Sequence, residues 1–249
     1  KIDYTDTSSP ILSGKIGMRV MKGNAAYQNI SITHLNPAAP LSDPVELVEG
    51  ATPINKHTFT LYSNAQGKGY EIKDGGIDIN NGKRSIKGMM NDVSLTDGTV
   101  SCDLQLPGTG GFGTGILVRC KPSAFGEGTD DLDGVGVHLE RGDNGSVDVK
   151  VHSWENKAWK GAIATATVKD YFVNQQPKTA HLSVEVKGNT LTAFLDGDKV
   201  LTADISKWSD DAHTAIGLRA HSTAHVMLTN YTYDNGEEKP EADFTALNQ

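Results

Sequence analysis

The sequence predicts an all-β protein built as a sandwich of two antiparallel sheets. Glycine accounts for 27 of the 249 residues and 37% of the residues are hydrophobic, which is typical of an ordered chain of strands and turns. Short segments that alternate apolar and polar residues follow one another from residue 58 to residue 233, and turn signals separate them. A stretch of this length suits one sandwich.

The predicted strands and turns follow from this alternation. The three-stranded run in residues 184–201, VEVKGNTLTAFLDGDKVL, is the clearest local structure, because two turn signals divide three alternating segments. Turns are predicted at Asp74-Gly75-Gly76, Asn81-Gly82, Asn144-Gly145, Gly188-Asn189 and Asp196-Gly197. Strands are predicted over residues 58–63, 69–80, 99–106, 115–120, 134–140, 146–154, 180–188, 190–197, 199–205, 215–221 and 225–233.

A repeated segment indicates the domain organisation. Residues 14–33 and 214–233 both open with Ile-Gly-(Met/Leu)-Arg and both end on alternating β-formers, which predicts a hairpin in each copy. Residues 1–35 are therefore interpreted either as the closing strands of an upstream sandwich module or as an edge hairpin docked on the main one. The remaining expected parts are a proline-rich linker at 36–54, the main sandwich at 55–235 and a C-terminal linker at 236–249.

Charge and hydropathy narrow the classes of partner. The net charge is −8, which argues against nucleic acid and anionic membranes, since both recruit basic proteins. No apolar run approaches the roughly 18 residues of a membrane span. The partner is therefore expected to be neutral, or anionic only where arginines cluster.

The two cysteines lie on predicted neighbouring strands. Cys102 is in step with Val100 and Leu104, and Cys120 is in step with Val118, so both are expected on the apolar face. If the strands pair through the connection between them, a disulfide is geometrically possible. Two buried free thiols fit the same pattern.

Strand alternation predicts a polar set on the outer face of one sheet. In 134–140 and 215–221 the apolar residues take one face, so the polar ones take the other. These outward residues are Arg119, His138, Glu140, Trp154, Arg219 and His221. Arg forks and carboxylates engage vicinal hydroxyls, while an aromatic ring stacks on the C–H face of a sugar. Gly136 and Gly217 are in step with this set and would leave room for a sugar ring. The alternative is a solvated face whose charges pair, for example Arg119 with Glu140.

Two other features are candidates for ligands. The acidic loop 129–134 places Asp131 and Asp133 where they could supply oxygens to a structural Ca²⁺, although the regular spacing of an EF-hand is missing. Trp154 and Trp159 flank a predicted hairpin tip and could form a stacking platform, or they could simply pack the hairpin. Trp208 is interpreted as structural.

The segments GTGILVR, GVGVHLE, VEVKGNTLTAFLDGDKVL and AIGLRAHSTAHVMLTNYTY resemble the concanavalin-A-like jelly-roll sandwiches of bacterial glycoside hydrolases. Residues 14–33 are similar to the ending of the fructan-binding modules of levanases and exo-inulinases. The resemblance implies a jelly-roll, lectin-like fold and a monomeric, non-catalytic module of a secreted or cell-wall-anchored multidomain enzyme. It implies an adjoining catalytic domain in the same polypeptide and no cofactor except a structural calcium. The implied ligand is the terminal fructose of levan or inulin, with Arg119, Glu140 and Arg219 holding hydroxyls and His138, His221 and Trp154 shaping the pocket.

Three other functions remain open at this point. A sialic-acid lectin would use the two arginines to hold a carboxylate. A 3-keto-glycoside hydrolase or lyase would need a metal or a paired acid and base. The Glu-x-Asp-x-x-Glu string of retaining β-glucanases on this fold is missing from the sequence. A structural or adhesin spacer would have no affinity for sugars and would expose an apolar patch.

Overall fold

The computed structural model describes residues 51–64, 69–80, 82–223 and 225–236, and at 82–84 and 222–223 it describes only the backbone. Fourteen strands run through these residues. In chain order they are β1 (Phe59–Ser63), β2 (Tyr70–Lys73), β3 (Gly76–Ile79), β4 (Gly82–Met90), β5 (Gly98–Leu106), β6 (Gly113–Cys120), β7 (Gly134–Arg141), β8 (Val147–Glu155), β9 (Ala158–Val168), β10 (Lys178–Lys187), β11 (Thr190–Leu195), β12 (Asp198–Asp204), β13 (Ala215–Thr223) and β14 (Val226–Asp234).

The strands form two sheets of seven strands each. The first sheet has the order β1-β4-β13-β6-β7-β8-β9, and the second has the order β12-β11-β10-β5-β14-β3-β2. Every neighbouring pair is antiparallel. The prediction of an all-β, two-sheet antiparallel sandwich of the jelly-roll type is confirmed.

The helices among the described residues are four 3₁₀ turns of three residues each, Pro122–Ala124, Asp143–Gly145, Val173–Gln175 and Ser206–Trp208. A helix that crosses a bilayer needs about 20 residues. None of the described helices has the length and apolar character of a membrane span.

The main core lies between the two sheets, where alternate residues of each strand are buried. Val100, Cys102, Leu104 and Leu106 point inward from β5, and β10 contributes its own alternate residues beside them. Burial of each large apolar side chain contributes about 1.5–3 kcal/mol relative to exposure. The alternation that predicted these strands is thus the pattern that fills the core.

The three-stranded run β10-β11-β12 matches its prediction. The strands pair in sequence order. Asp196 and Gly197 have φ values of 53° and 89°, as a two-residue hairpin turn with two left-handed positions requires. Aspartate and glycine are among the residues that adopt this conformation at least cost.

Two strands go beyond the sequence prediction. In β4 the charged Lys83, Arg84 and Lys87 obscure the apolar alternation. In β9 the alternating residues are mainly alanine and threonine, whose hydropathy differs little. Both strands belong to the first sheet, so the outer face of that sheet is wider than the sequence indicated.

The predicted hairpin at 214–233 is wrong. Its two strands, β13 and β14, belong to different sheets. Ile216 and Leu218 of β13 face Val226 and Leu228 of β14 through the same core, so the chain crosses from one sheet to the other between them. The first copy, at 14–33, lies outside the described residues.

The domain boundaries proposed from the sequence stay predictions. Residues 1–35, most of the linker at 36–54 and nearly all of the segment 236–249 lie outside the described residues. At the end of the predicted linker, Thr52 forms an isolated bridge with Tyr231, and Ile54 is fully buried. The end of this segment therefore packs on the sandwich.

The candidate disulfide between Cys102 and Cys120 is not formed. Strands β5 and β6 lie in different sheets, which removes the cross-strand geometry on which the disulfide depended. Both cysteines are buried free thiols, and burial raises the pKa of each well above its usual range. This is the alternative that the alternation pattern left open.

The carboxylate of Asp196 provides a test of the second sheet. It accepts hydrogen bonds from Tyr171 Oη at 3.0 Å and the His181 amide at 2.9 Å, and it pairs with Lys178 Nζ at 2.9 Å. Burial favours the protonated form, but the donors outweigh it and lower the pKa of Asp196. The stability that the ionised group contributes is therefore present above its unfolded pKa of about 3.9 and is lost as the pH falls through the lower folded value.

We expect Asp196→Asn to lower the free energy of unfolding by about 1–2 kcal/mol at pH 7, because hydrogen bonds to a charged acceptor are lost. The difference from the parent protein should shrink below about pH 4. Urea unfolding at pH 7 and pH 3 measures both effects, with the exposed Asp198→Asn as the matched control. An equal loss at both pH values would contradict this account of Asp196.

Candidate functional site

The outer face of the first sheet carries a second apolar cluster, separate from the main core. Its buried members are Leu117, Cys120, Phe125, Leu132, Trp154 and Ala215. Phe125 and Leu132 come from the connection between β6 and β7, residues 121–133, which covers this part of the sheet. The first sheet is therefore buried on both faces here, and polar side chains beside the cluster must find partners away from bulk water.

Two glycines of β6 bring the polar side chains of its neighbours together. Glu140 of β7 and His221 of β13 both pair with Gly113, on opposite sides of β6. Gly115 has the same relation to two other polar residues of these strands. A Cβ atom at Gly113 would lie 2.6 Å from the imidazole of His221. Because β6 has no side chain there, groups from β7 and β13 meet above it.

Three histidines and one glutamate form a compact group on this face, which we call the histidine cluster: His138, Glu140, His152 and His221. The ring centroid of His138 lies 5.0 Å from that of His152 and 5.2 Å from that of His221. One ligand atom from each of the four residues can be chosen so that all lie within 4.8 Å of one another. Among the residues that the structure describes, this is the group with the composition and spacing of a metal site.

Glu140 is the carboxylate of the histidine cluster. Its Oε1 lies 2.7 Å from His152 Nε2 and 3.4 Å from His221 Nε2, and its Oε2 accepts a hydrogen bond of 2.8 Å from Lys150 Nζ. Burial opposes ionisation of Glu140, but the hydrogen bonds from His152, His221 and Lys150 hold its pKa far below the usual range. Glu140 is therefore an anion throughout the physiological pH range.

His138 is fully buried, and no described protein group hydrogen-bonds either of its ring nitrogens. Burial, together with the neighbouring His152 and His221, lowers the pKa of His138 well below its usual value, so the ring is neutral. An unpaired buried polar group costs about 1–3 kcal/mol. The fold thus carries a destabilising imidazole at the centre of this face.

The tautomer of His152 follows from its two contacts. Trp159 Nε1 lies 3.2 Å from His152 Nδ1, and an indole N–H can only donate, so Nδ1 accepts. The ring proton is then on Nε2, which donates to Glu140 Oε1. A chain of hydrogen bonds therefore runs from Trp159 through His152 to Glu140.

Two buried cations flank the histidine cluster. The guanidinium of Arg219 lies 4.8 Å from the centre of the Trp154 ring, and burial lowers its pKa to about 10. Lys87 is the residue of β4 that pairs with Arg219, and it donates to the carbonyl of Gly128. Burial and the charge of Arg219 lower the pKa of Lys87 to about 8. Arg219 also donates to Thr129 O at 3.4 Å. Both cations therefore hold the connection 121–133 against the sheet.

A shallow cavity of about 270 Å³ opens next to the histidine cluster. Trp159 forms one wall, with 55% of its surface exposed. The other lining residues are Thr129, Asp130, His152, Arg219 and His221. An apolar wall beside hydrogen-bonding groups is an arrangement that suits a small polar ligand with an apolar face.

The structure brings together five of the six residues predicted for the site: His138, Glu140, Trp154, Arg219 and His221. Trp154 differs from its predicted role. It is fully buried, and its Nε1 donates to Asp130 Oδ1 at 3.2 Å, so its ring supports Arg219 and cannot stack on a ligand.

Arg119 is not part of this group. The pairing of β6 with β13 contains a β-bulge, because Leu117 to Cys120 on β6 lies opposite the shorter segment Ala215 to Gly217 on β13. Arg119, inside the bulge, has a φ of 49°. Such a bulge shifts the alternation of the strand. Arg119 therefore reaches toward the second sheet, where its Nη2 lies 2.9 Å from Asp97 Oδ1, and Cys120 turns to the outer face.

The predicted calcium ligands Asp131 and Asp133 each contact a group of the protein. Asp131 Oδ2 accepts a 2.9 Å hydrogen bond from the Gly128 amide, which closes the loop on itself. Asp133 Oδ1 lies 3.4 Å from His213 Nε2. The described part of the loop gathers no group of three ligand side chains, and calcium at Asp131 and Asp133 stays a prediction.

The two glycines expected to leave room for a sugar do not do so. A Cβ at Gly136 would lie 2.8 Å from Leu117 Cδ2 and 3.2 Å from His138 Nε2, so protein atoms fill that space. A Cβ at Gly217 would collide with the backbone of Gly88. These glycines permit close packing within the protein.

The predicted site set omitted two residues of this face, Lys87 and His152, whereas Trp159 had been named as a candidate stacking residue. His152 shares its outward parity with Trp154, so the alternation of β8 contained the signal that would have added it. Lys87 lies on β4, which was not predicted. Trp159 pairs directly with Trp154 across the β8–β9 hairpin, and of the two rings only that of Trp159 is exposed.

Comparison with known proteins supports the fold. No protein-family model matches the chain, and no curated protein is similar to it in sequence.

Among solved structures, a Bacillus subtilis protein of unknown function with a galectin-like fold has a TM-score of 0.52 at 9% identity, covering 75% of this chain and 94% of that one. The potassium-bound carbohydrate recognition domain of Emp46p has a TM-score of 0.50 at 12% identity, covering 75% and 95%. The carbohydrate-binding module CBM66 from Bacillus subtilis has a TM-score of 0.49 at 18% identity, covering 71% and 95%. The chain has the fold of lectin-like sandwiches.

We expect Glu140→Gln to lower the free energy of unfolding in metal-free buffer by about 1–3 kcal/mol, because a buried acceptor for two histidines and Lys150 loses its charge. Glu155→Gln is the matched control on the neighbouring strand β8, since its pair with Lys207 is of the surface type, worth about 0–1 kcal/mol. Urea unfolding of both variants measures the difference. Equal effects of the two substitutions would show that Glu140 does not organise this face.

Proposed function

We propose that this chain is a non-catalytic carbohydrate-binding module whose ligand occupies the cavity beside Trp159. The observation that carries the proposal is the exposed indole next to hydrogen-bonding groups within one cavity. A sugar ring has a weakly apolar C–H face that stacks on an aromatic ring and hydroxyls that bind carboxylates and imidazoles. The lectin-like fold agrees with this proposal.

The size of the cavity favours the end of a sugar chain over its interior. Pockets for drug-sized ligands measure about 300–1,000 Å³, and this cavity of about 270 Å³ is smaller. One terminal sugar unit is therefore the proposed ligand. Its proposed identity as the terminal fructose of levan or inulin rests on the sequence resemblance of residues 14–33.

The charges at the cavity favour a neutral sugar over sialic acid. The sialic-acid alternative required two arginines, but Arg119 lies elsewhere and only Arg219 lines the cavity. Asp130 also lines it, with Oδ1 4.0 Å from Arg219 Nη2. This carboxylate would repel an acidic ligand and already compensates the charge of Arg219.

The wider setting proposed for the module follows from the same resemblance. We propose that the chain is an extracellular, secreted or cell-wall-anchored part of a multidomain glycoside hydrolase, that the catalytic domain adjoins it in one polypeptide, and that the module is monomeric. The composition of segments 36–54 and 236–249, which is that of interdomain linkers, supports this setting.

Affinity electrophoresis and calorimetry against levan, inulin, β-glucan, arabinan and sialyllactose test the proposal. We expect binding to a fructan, with Trp159→Ala weakening it at least about tenfold because the stacking surface is lost. Ile163→Ala, which removes another exposed apolar residue of β9, and Arg119→Ala are the controls that should leave the affinity unchanged.

Three results would contradict the proposal. Absence of binding to every glycan would favour the enzyme or adhesin alternatives. Binding that survives Trp159→Ala but is lost in Arg119→Ala would place the site away from this cavity. Preference for sialyllactose over its methyl ester would favour the acidic ligand instead.

A further inference from the structure

We propose that the histidine cluster is a binding site for one first-row divalent transition metal ion, held by His138, Glu140, His152 and His221. Three imidazoles and one carboxylate form an N₃O donor set. Imidazole nitrogen suits Zn²⁺, Cu²⁺, Ni²⁺ and Fe²⁺, whereas Ca²⁺ and Mg²⁺ prefer oxygen ligands. The donor set therefore selects a different class of ion from the calcium that the sequence suggested.

The distances within the histidine cluster lie around those of such a site. A tetrahedral Zn²⁺ site with bonds of about 2.0–2.2 Å places its ligand atoms about 3.3–3.6 Å apart. The distances from Glu140 Oε1 to His152 Nε2 and His221 Nε2 are 2.7 and 3.4 Å, and the largest separation in the group is 4.8 Å. The 4.8 Å separation would shorten by about 1.2–1.5 Å when an ion is bound.

The unpaired imidazole of His138 is an independent indication of a ligand. Its side chain is fully buried, its two nitrogens lack any described protein partner, and one of them lies within 4.8 Å of a ligand atom of each of the other three residues. Buried imidazoles in folded proteins normally have at least one hydrogen-bond partner. A metal ion within the cluster would give His138 that partner.

The groups around the histidine cluster have the positions expected of a second coordination shell. Lys150 Nζ binds Glu140 Oε2 at 2.8 Å, which leaves Oε1 directed at the histidines. His138 and His221 are on the two strands that flank the glycines of β6, and His152 is on the next strand of the same sheet. Ligands on hydrogen-bonded strands of one sheet are preorganised. Second-shell partners of this kind fix the orientation of metal ligands.

Metal binding would change the hydrogen bond of Trp159. His152 faces the histidine cluster through Nε2, which carries the ring proton while Nδ1 accepts from Trp159. Coordination through Nε2 moves that proton to Nδ1, and the ring stays neutral. The Nδ1–H group of His152 and the indole N–H of Trp159 are then both donors, so the hydrogen bond between them must break. Trp159 is largely exposed and lies on the edge strand β9.

This inference goes beyond the proposed sugar binding and does not depend on it. His152 and His221 line the cavity and also belong to the histidine cluster, so the metal would lie at the floor of the proposed ligand site. Sugar affinity measured in EDTA tests the first proposal, and metal affinity measured without sugar tests the second.

Calorimetric titration of ZnCl₂ into the EDTA-treated, desalted full chain tests the site. We expect one Zn²⁺ per chain, and His138→Gln or His221→Gln should weaken the affinity about a hundredfold or more, since even loss of a second-shell partner costs about 10–100-fold. Co²⁺ should give the visible absorption bands of a tetrahedral ion, and these bands should disappear in both variants. The matched control is His181→Gln, whose exposed imidazole pairs with Asp103 on the second sheet.

The site is overturned if the parent chain binds no Zn²⁺, or if His138→Gln and His221→Gln bind it as tightly as the parent while remaining folded by circular dichroism. It is also overturned if His181→Gln abolishes the binding. His221 lies at the margin of the cavity and is partly exposed, so His221→Gln keeps the test decisive even if the buried His138→Gln variant does not fold.

The fluorescence of Trp159 tests the coordinating atom. Zn²⁺ should change the tryptophan emission of the parent chain, and Trp159→Phe should lose this change while keeping its stoichiometry of one ion. An emission spectrum that does not respond to saturating Zn²⁺ would overturn coordination through His152 Nε2.

Discussion

Burial of the first sheet on both faces is the constraint on which the candidate site depends. The second sheet covers one face, and the connection 121–133 covers part of the other. Polar side chains on the covered outer face cannot rely on bulk water, so they pair with one another. Glu140 neutralises charge and accepts from its histidine and lysine neighbours, while Lys87 and Arg219 bind carbonyls of the covering loop.

The glycines of β6 allow the polar side chains of this face to form one group. In a regular sheet, residues on alternate strands are separated by the side chains of the strand between them. At Gly113 and Gly115 that separation is missing, so His221 and Arg219 approach the side chains of β7 directly. Trp154 then supports the group from the side, and Trp159 forms its exposed wall.

The sequence predicted most of this face because strand alternation is a local property. The parity of β7, β8 and β13 placed His138, Glu140, Trp154, Arg219 and His221 on one side, as the structure shows. The bulge at Arg119 could not be predicted, because it is defined by the pairing of β6 with β13, which lie about a hundred residues apart in the chain. The burial of Trp154 depends on the covering loop, and the sheet change between β13 and β14 depends on the whole topology. Local alternation contains none of this information.

The most direct test of whether this outer face is the functional one is an NMR titration with a levan oligosaccharide. The spectrum to record is a long-range proton–nitrogen correlation of the histidine side chains. The structure predicts that His152 is the Nε2–H tautomer in the free protein, and that the signals of His152 and His221 shift with sugar while that of His181 on the second sheet does not. A response at His181 alone, or sugar binding with no response at His152 and His221, would contradict the account.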